Sequence, residues 1–425
     1  MSVYLSLPAR YTLIVGDTFE LFRRSVVMAS NPYAYNWRVE CEKGAIFTRK
    51  YVYTPSPEDV GTHLMTMTLE DDSGAVLDRK VVKLEVLPPP VQPSRPIHMT
   101  FVGASASANG EWASEVARRL TGDDPAACEG AAGAPVGWGL KDIHFWGSVQ
   151  GRHGAYLEGY GGWSFKSYTP DHESKRFWWG KPSITLLPQD QHARYRDEAG
   201  VLWCLETIGD AECKLISRGS RLGLPPQGRL SWESGGESHS DFTFNEPRRA
   251  SGNPFWNEET GRLDFAHWAN RLGAPGLDIL CVNLGWNSTL TPREEYMEDV
   301  RRFIRGIHEA FPACRIILMG IHMPSQDGFG QNYGCMWNYR DKMDYVSELD
   351  RRYEQIEQEF DFVSFHSLAG QFDTEYGYPR VEEAPNARSS VRLLRQSNGV
   401  HPTMEGYMQF ADAVTRAVVG ELAKL

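Results

Sequence analysis

Ile97-His98-Met99-Thr100-Phe101-Val102-Gly103-Ala104-Ser105 decides how the chain is read. A short β-prone run ends at a glycine. The residues from Trp112 to Leu120 then carry apolar side chains at helical spacing and finish on basic ones, so the passage reads as strand, turn, helix. The same alternation returns later. Leu277 to Leu284 is a nearly continuous apolar strand, and Pro292 to Phe311 is an amphipathic helix opened by proline and acidic residues. Arg315 to Gly320 reads as strand, Tyr339 to Phe360 as a long charged helix, Asp361 to Phe365 as strand and Thr403 to Leu425 as a closing helix. Buried runs alternating with helices imply an α/β fold whose parallel sheet is covered on both faces.

Upstream the pattern differs. To about Val86 the chain is a series of short β-prone runs separated by turn signals. The clearest pair is His63 to Leu69 and Arg79 to Val86, joined across Asp71-Asp72-Ser73-Gly74, which has hairpin turn chemistry. An all-β, Ig-like sandwich over residues 1–87 is expected. Prolines 88, 89, 90, 93 and 96 then forbid helix and favour an extended connection over 88–96. The remaining 97–425 form the α/β unit, interrupted by a long Gly-, Pro-, Trp- and His-rich middle around 169–270 that reads as irregular apart from a hairpin between Leu202 and Leu215. Its tryptophans, among them Trp178, Trp179, Trp203, Trp232, Trp256 and Trp268, suit either a subsidiary core or a platform for sugar rings.

The 425 residues hold 44 Lys and Arg against 55 Asp and Glu, a formal net charge of −11, which argues against a polyanion-binding protein. No apolar run is long enough to span a bilayer, and the N-terminus lacks the basic and hydrophobic regions of a signal peptide. A cytoplasmic protein is expected, or a secreted one whose signal peptide has been removed. The seven cysteines are odd in number, scattered and never in a C-x-x-C pair, which favours reduced thiols over a disulfide framework or a zinc site.

In open α/β sheets ligands bind beyond the carboxyl ends of the strands, and four segments stand there. Ser105 follows the first strand on a glycine-containing turn, where it is either a helix cap or a hydroxyl beside backbone N–H groups. Glu158-Gly159-Tyr160-Gly161-Gly162-Trp163-Ser164 is a flexible turn or a place of close backbone approach to a ligand. Asn283-Leu284-Gly285-Trp286-Asn287 ends the most apolar strand with amide side chains of no evident core purpose. Asn398-Gly399-Val400-His401-Pro402 precedes the last helix with a histidine that suits helix-entry packing or a general base.

In order and context these segments, over about Ile97 to Leu425, resemble the blocks of the SGNH hydrolases, the GDSL-type esterases. The resemblance implies a flavodoxin-like three-layer α/β/α domain with Ser105 as nucleophile and His401 as base. It implies an oxyanion hole made by the Ser105 N–H, Gly162 and Asn287. Trp163, Trp286 and Trp256 are expected to contact substrate, and no metal or organic cofactor is expected. The sequence departs from the family pattern at Ala104 and Ser288, where aspartates are usual, and above all at Asn398, the position of the triad aspartate. His401 is then either half of a Ser–His dyad or is oriented by another acceptor: a backbone carbonyl near 398, the Asn398 side-chain oxygen, or a carboxylate such as Glu405. The polar, aromatic middle and the preceding β-sandwich look like those of bacterial carbohydrate O-acetyl esterases. Acetylated xylan or mannan oligo- or polysaccharides are the expected substrate, with neither nucleic acid nor membrane as partner and homo-oligomerisation left open. The alternatives are a silent glycan-binding protein and an esterase for acetylated sialic acid or lipid.

Overall fold

The computed structural model describes residues 3–122, 135–171, 177–183, 194–197, 202–208, 212–218, 229–234, 237–327 and 338–425. Residues 97–103 form a central strand of a seven-stranded sheet. Its strands are β1 (Ile97–Gly103), β2 (Ile143–Phe145), β3 (Val149–Gln150), β4 (Tyr156–Gly159), β5 (Ile279–Asn283), β6 (Arg315–Met319) and β7 (Val363–His366). They lie in the order β3-β4-β1-β5-β6-β7, with β2 beside the first half of β1 and β4 beside its second half. Every pairing is parallel except β3 with β4.

Helices cover both faces: α1 (Ser105–Ala108), α2 (Glu111–Thr121), α3 (Phe165–Tyr168), α4 (Phe265–Leu272), α5 (Arg293–Ala310), α6 (Tyr339–Glu359) and α7 (Met404–Leu422). The two-residue period of β5 explains the layers. Ile279 and Cys281 share a core with Trp112 and Val116 of α2 and Phe410, Val414 and Val418 of α7. Leu280 and Val282 face the opposite core, formed by Phe303 and Ile304 of α5 and Val346 and Leu349 of α6. Both sides of the strand are buried, which is why its sequence is apolar without alternation. Side-chain caps begin the later helices: Asn338 accepts from the Asp341 N–H, and Thr403 from the Gly406 N–H.

The N-terminal part forms two main sheets over one core, beside a short pairing of Tyr4–Leu5 with Val27–Met28. Arg10–Ile14, Val76–Leu87, Gly61–Glu70 and Asn36–Glu40 make the larger sheet. Phe19–Phe22, Lys50–Tyr53 and Ala45–Ile46 make the smaller. Leu13, Phe19, Leu21, Tyr51, Met65, Met67 and Leu84 meet between them. The expected hairpin is present, with His63 opposite Leu84, and Asp71 Oδ1 shapes its turn by accepting from the Ser73 and Ala75 N–H groups.

The middle of the chain departs from expectation. Its described segments are strands: Phe177–Pro182, Arg194–Asp197, Leu202–Ile208, Glu212–Arg218, Arg229–Ser234 and Glu237–Ala250 close into an antiparallel barrel. The hairpin read near Leu202 is one part of it. Closure pairs the first strand with the last, Phe177 opposite Ala250. That contact joins residues far apart in sequence, so no local pattern announces it. Trp203 is buried, its indole N–H donating to Asp197, and Trp268 is buried on α4, so both serve as core. The side chains of Trp179 and Trp232 lie outside the described residues.

A buried ionic node joins the two-sheet unit to the α/β unit. Asp17 accepts from Arg119 of α2 at 3.0 Å and from Arg416 of α7 at 2.7 Å. Arg119 also reaches Asp412, and Arg416 reaches Gln371 and the Thr18 carbonyl. The three side chains of the node are each at most 6% exposed. Removing one partner of a buried pair leaves an uncompensated charge. Asp17→Ala is therefore expected to lower unfolding stability by about 3–5 kcal/mol, read from urea melts at neutral pH. A loss below about 1 kcal/mol, the range of exposed pairs, would show that the node is solvated.

Candidate active site

Because β4, β1 and β5 are adjacent and parallel, the chain leaves all three at the same edge of the sheet, with Ser105 following the middle strand. Ser105 is the first residue of α1 and is half-buried. The helix lies hard against the strand ends. A Cβ on Gly103 would fall 1.9 Å from Ser107 Oγ, and one on Gly159 would fall 3.0 Å from the Ser107 backbone. Glycine at these two positions is what lets the turn bring Ser105 to the sheet edge.

On one side of Ser105, Tyr160–Trp163 is a turn closed by the Trp163 N–H donating to the Tyr160 carbonyl at 3.2 Å. Gly162 has φ +80° at its third position, as a type II turn requires. Gly162 is exposed, and its N–H has no hydrogen-bond partner among the described residues. On the other side, Asn287 is exposed and donates from Nδ2 to the Trp163 carbonyl at 2.9 Å, tying the β4 and β5 loops together. The structure thus joins the loops of Gly162 and Asn287 directly.

His401 arrives from farther along the chain. Its segment docks where β6 ends: His322, three residues beyond that strand, meets the Val400 carbonyl through Nε2 at 2.8 Å. Tyr407, near the start of α7, shares a buried core with Ala106 of α1, so the histidine loop and the serine helix share one side of the molecule. Burial holds the His401 imidazole below its ordinary pKa, favouring the neutral form that a base needs. Among the described residues no hydrogen bond reaches the His401 ring, and none joins it to the Ser105 hydroxyl. Such bonds are often long in unliganded sites and tighten on binding.

Asn398 does a different task from the one considered in the sequence. Its Oδ1 accepts from the Val400 N–H at 2.8 Å and the His401 N–H at 2.9 Å, an Asx-type turn that shapes the backbone, and it makes no bond to the imidazole. Glu405 is exposed and equally makes no bond to the ring.

Two of the three tryptophans expected to touch substrate are buried. Trp163 is 1% exposed, packed on Tyr160 and Tyr168, and Trp286 is 6% exposed, stacked on His322. Apolar faces this well covered are core. Trp256 is half-buried in the short hairpin of Trp256–Asn257 with Arg262–Leu263. The sequence marks Glu158 only as the start of a glycine turn. Its fully buried carboxylate accepts from the Ser148 N–H and hydroxyl, the Tyr160 hydroxyl and the Trp268 indole, and so anchors the β4 loop. Among the described residues no group of His, Cys, Asp and Glu is arranged to hold a metal ion, and Cys41, Cys281 and Cys314 are free thiols. Cys128 and Cys335 lie outside the described residues, as do the side chains of Cys204 and Cys213.

No family model and no curated protein matches the chain. Solved structures do. A peptidoglycan O-acetylesterase is similar at 14% identity and TM-score 0.33, over 78% of this chain and 93% of the other. A carbohydrate esterase family 2 enzyme with its carbohydrate-binding domain, from Corynascus thermopiles (Myceliophthora fergusii), is similar at 10% identity and TM-score 0.30, over 99% of each chain. A family two carbohydrate esterase from Clostridium thermocellum, solved with cellohexaose, is similar at 11% identity and TM-score 0.30, over 97% of this chain and 95% of the other. The neighbours of this chain among solved structures include SGNH/GDSL-type lipases and carbohydrate esterases.

Proposed function

We propose that the protein is a serine esterase that removes O-acetyl groups from carbohydrates. The observation that carries this reading is the sheet edge itself: a half-buried serine between two bonded loops, one offering an unpartnered N–H at Gly162 and the other the amide of Asn287. Ser105 attacks the acetyl carbonyl while His401 takes its proton. The tetrahedral oxyanion rests on the N–H groups of Ser105 and Gly162 and on the Asn287 amide. His401 then protonates the departing sugar oxygen, and water repeats the sequence to release acetate. With the Asn398 oxygen occupied by backbone, catalysis runs as a Ser–His dyad, and among the described residues no carboxylate is bonded to the imidazole.

A hydrophilic substrate is supported by the groups that reach solvent in the four segments: Gly161, Gly162 and Asn287 are exposed, and Asn398 and His401 are half-buried. Acetylated xylan or mannan fragments are the proposed class. Stacking on Trp163 or Trp286 plays no part, since both rings are covered. The two-sheet unit over 1–87, joined through the Pro-rich stretch 88–96, is read with this as an Ig-like structural domain.

Acetate release from acetylated xylan and glucomannan oligosaccharides tests the reading. Ser105→Ala or His401→Ala is expected to lower kcat by about 10⁴-fold or more, and Asn287→Ala by roughly 10²–10³-fold. Wild-type protein that releases nothing from any acetylated glycan or aryl acetate would point instead to a silent glycan-binding protein.

The pH profile follows from burial. The depressed His401 pKa keeps the base neutral to lower pH than an ordinary histidine, so kcat/KM should hold its plateau as pH falls and be lost only below about 6.5. An acid limb centred above 6.5 counts against His401 as the base. Asn398→Asp places a negative charge beside the ring, favours imidazolium and should move that limb to higher pH by at least about half a unit. An unmoved limb would mean that position 398 has no electrostatic hold on the base.

A further inference from the structure

Beyond the ends of β5 and β6 lies a buried column that the proposed chemistry does not use. Trp286 and His322 stack with ring centroids 4.2 Å apart and planes at 11°. Lys342 of α6 sits 4.2 Å from the Trp286 ring and donates to the Trp286 carbonyl at 2.9 Å and to Thr289 Oγ1 at 2.6 Å. From the same helix Tyr345 donates to the Gly285 carbonyl at 2.6 Å and Tyr353 to the Leu284 carbonyl at 3.0 Å. The loop that carries Asn287 is therefore held carbonyl by carbonyl from α6.

His322 carries the column across to the other loop. Its partner, the Val400 carbonyl, can only accept, so Nε2 bears the hydrogen and Nδ1 is the bare nitrogen. Among the described residues Nδ1 is buried without a partner. An unpaired buried nitrogen is a cost that an apolar ring of the same shape avoids, so packing alone does not account for histidine here. What the residue supplies is one N–H aimed at one carbonyl, and burial keeps the ring neutral, its pKa pushed down to about 3. That carbonyl belongs to the peptide bond entering His401, whose N–H is held from the other end by Asn398 Oδ1.

We infer that His322 is the positioning residue for His401: it fixes one end of the Val400–His401 peptide while Asn398 fixes the other, and its stack on Trp286 registers that peptide against the loop of Asn287. The inference rests on His401 being the base. His322→Phe keeps a flat ring but loses the N–H, whereas the amide of His322→Gln can still reach the Val400 carbonyl.

The test measures turnover of 4-nitrophenyl acetate and the His401 imidazole ¹H–¹⁵N correlations in the full-length protein and both variants. His322→Phe is expected to lower kcat by about 10- to 100-fold with KM within about twofold, and to broaden or split the His401 signals. His322→Gln is expected to restore kcat to within about threefold of wild type and to return a single set of signals. Turnover within twofold of wild type in His322→Phe with unchanged His401 signals overturns the inference, and so does equal impairment of both variants. If the wild type hydrolyses no ester, the esterase reading fails on its own, and the His401 signals still decide whether His322 positions that loop.

Discussion

The carboxylate of Asp17 sits between two buried guanidiniums, and the relation of the two halves of the candidate site depends on it. Arg119 lies on α2, the helix that continues the chain from Ser105, and Arg416 lies on α7, the helix that begins just after His401. A single side chain from the N-terminal unit thereby clamps the helix that follows the Ser105 turn to the helix that follows the His401 loop. Further along the same contact, Arg24, Tyr33 and Arg49 converge on Glu375, and the nearby Gly377 carbonyl accepts from the Thr403 N–H that opens α7. The N-terminal sheets thus act on the geometry of the opposite unit, although they contribute none of the four candidate segments.

Much of the α/β part was legible because its signals are local. The unbroken apolar run of β5 reports burial on both faces, and Gly103 before Ser105 reports a close approach whose partner, Ser107, lies four residues on. The barrel was illegible for the opposite reason, since the strand pairing that closes it is set by partners far away in sequence. The tryptophans misled because a large aromatic side chain has the same sequence signature whether its face is covered or open, and only the neighbours of Trp163 and Trp286 decide which. His322 had a usable signal. Gly320-Ile321-His322 follows an apolar strand just as Leu284-Gly285-Trp286-Asn287 does, and a polar side chain at the end of a buried parallel strand lies on the edge where ligands bind.

Asn398 shows what a carboxamide does in this turn that a carboxylate would do differently. A carboxylate there could accept from the backbone and from the imidazole together. The carboxamide oxygen already takes two backbone N–H groups, so the turn survives while the electrostatic hold on the ring is given up. The bond from His322 to the adjacent carbonyl holds the backbone there without charge, and the His401 imidazole is shifted by desolvation rather than by a counter-ion.

The pairing of Phe177 with Ala250 also bears on how the chain can fold. Strands β4 and β5 flank β1 in the sheet but are separated by a long stretch of sequence, and the entropy of closing a loop rises with its length. A barrel whose first and last strands are neighbours short-circuits that stretch: once it forms, the tether between β4 and β5 is only the chain on either side of it. The insertion then lowers the effective contact order of the sheet it interrupts, and its two ends leave the α/β unit side by side, a geometry that lets the barrel be exchanged or excised without disturbing the strand register.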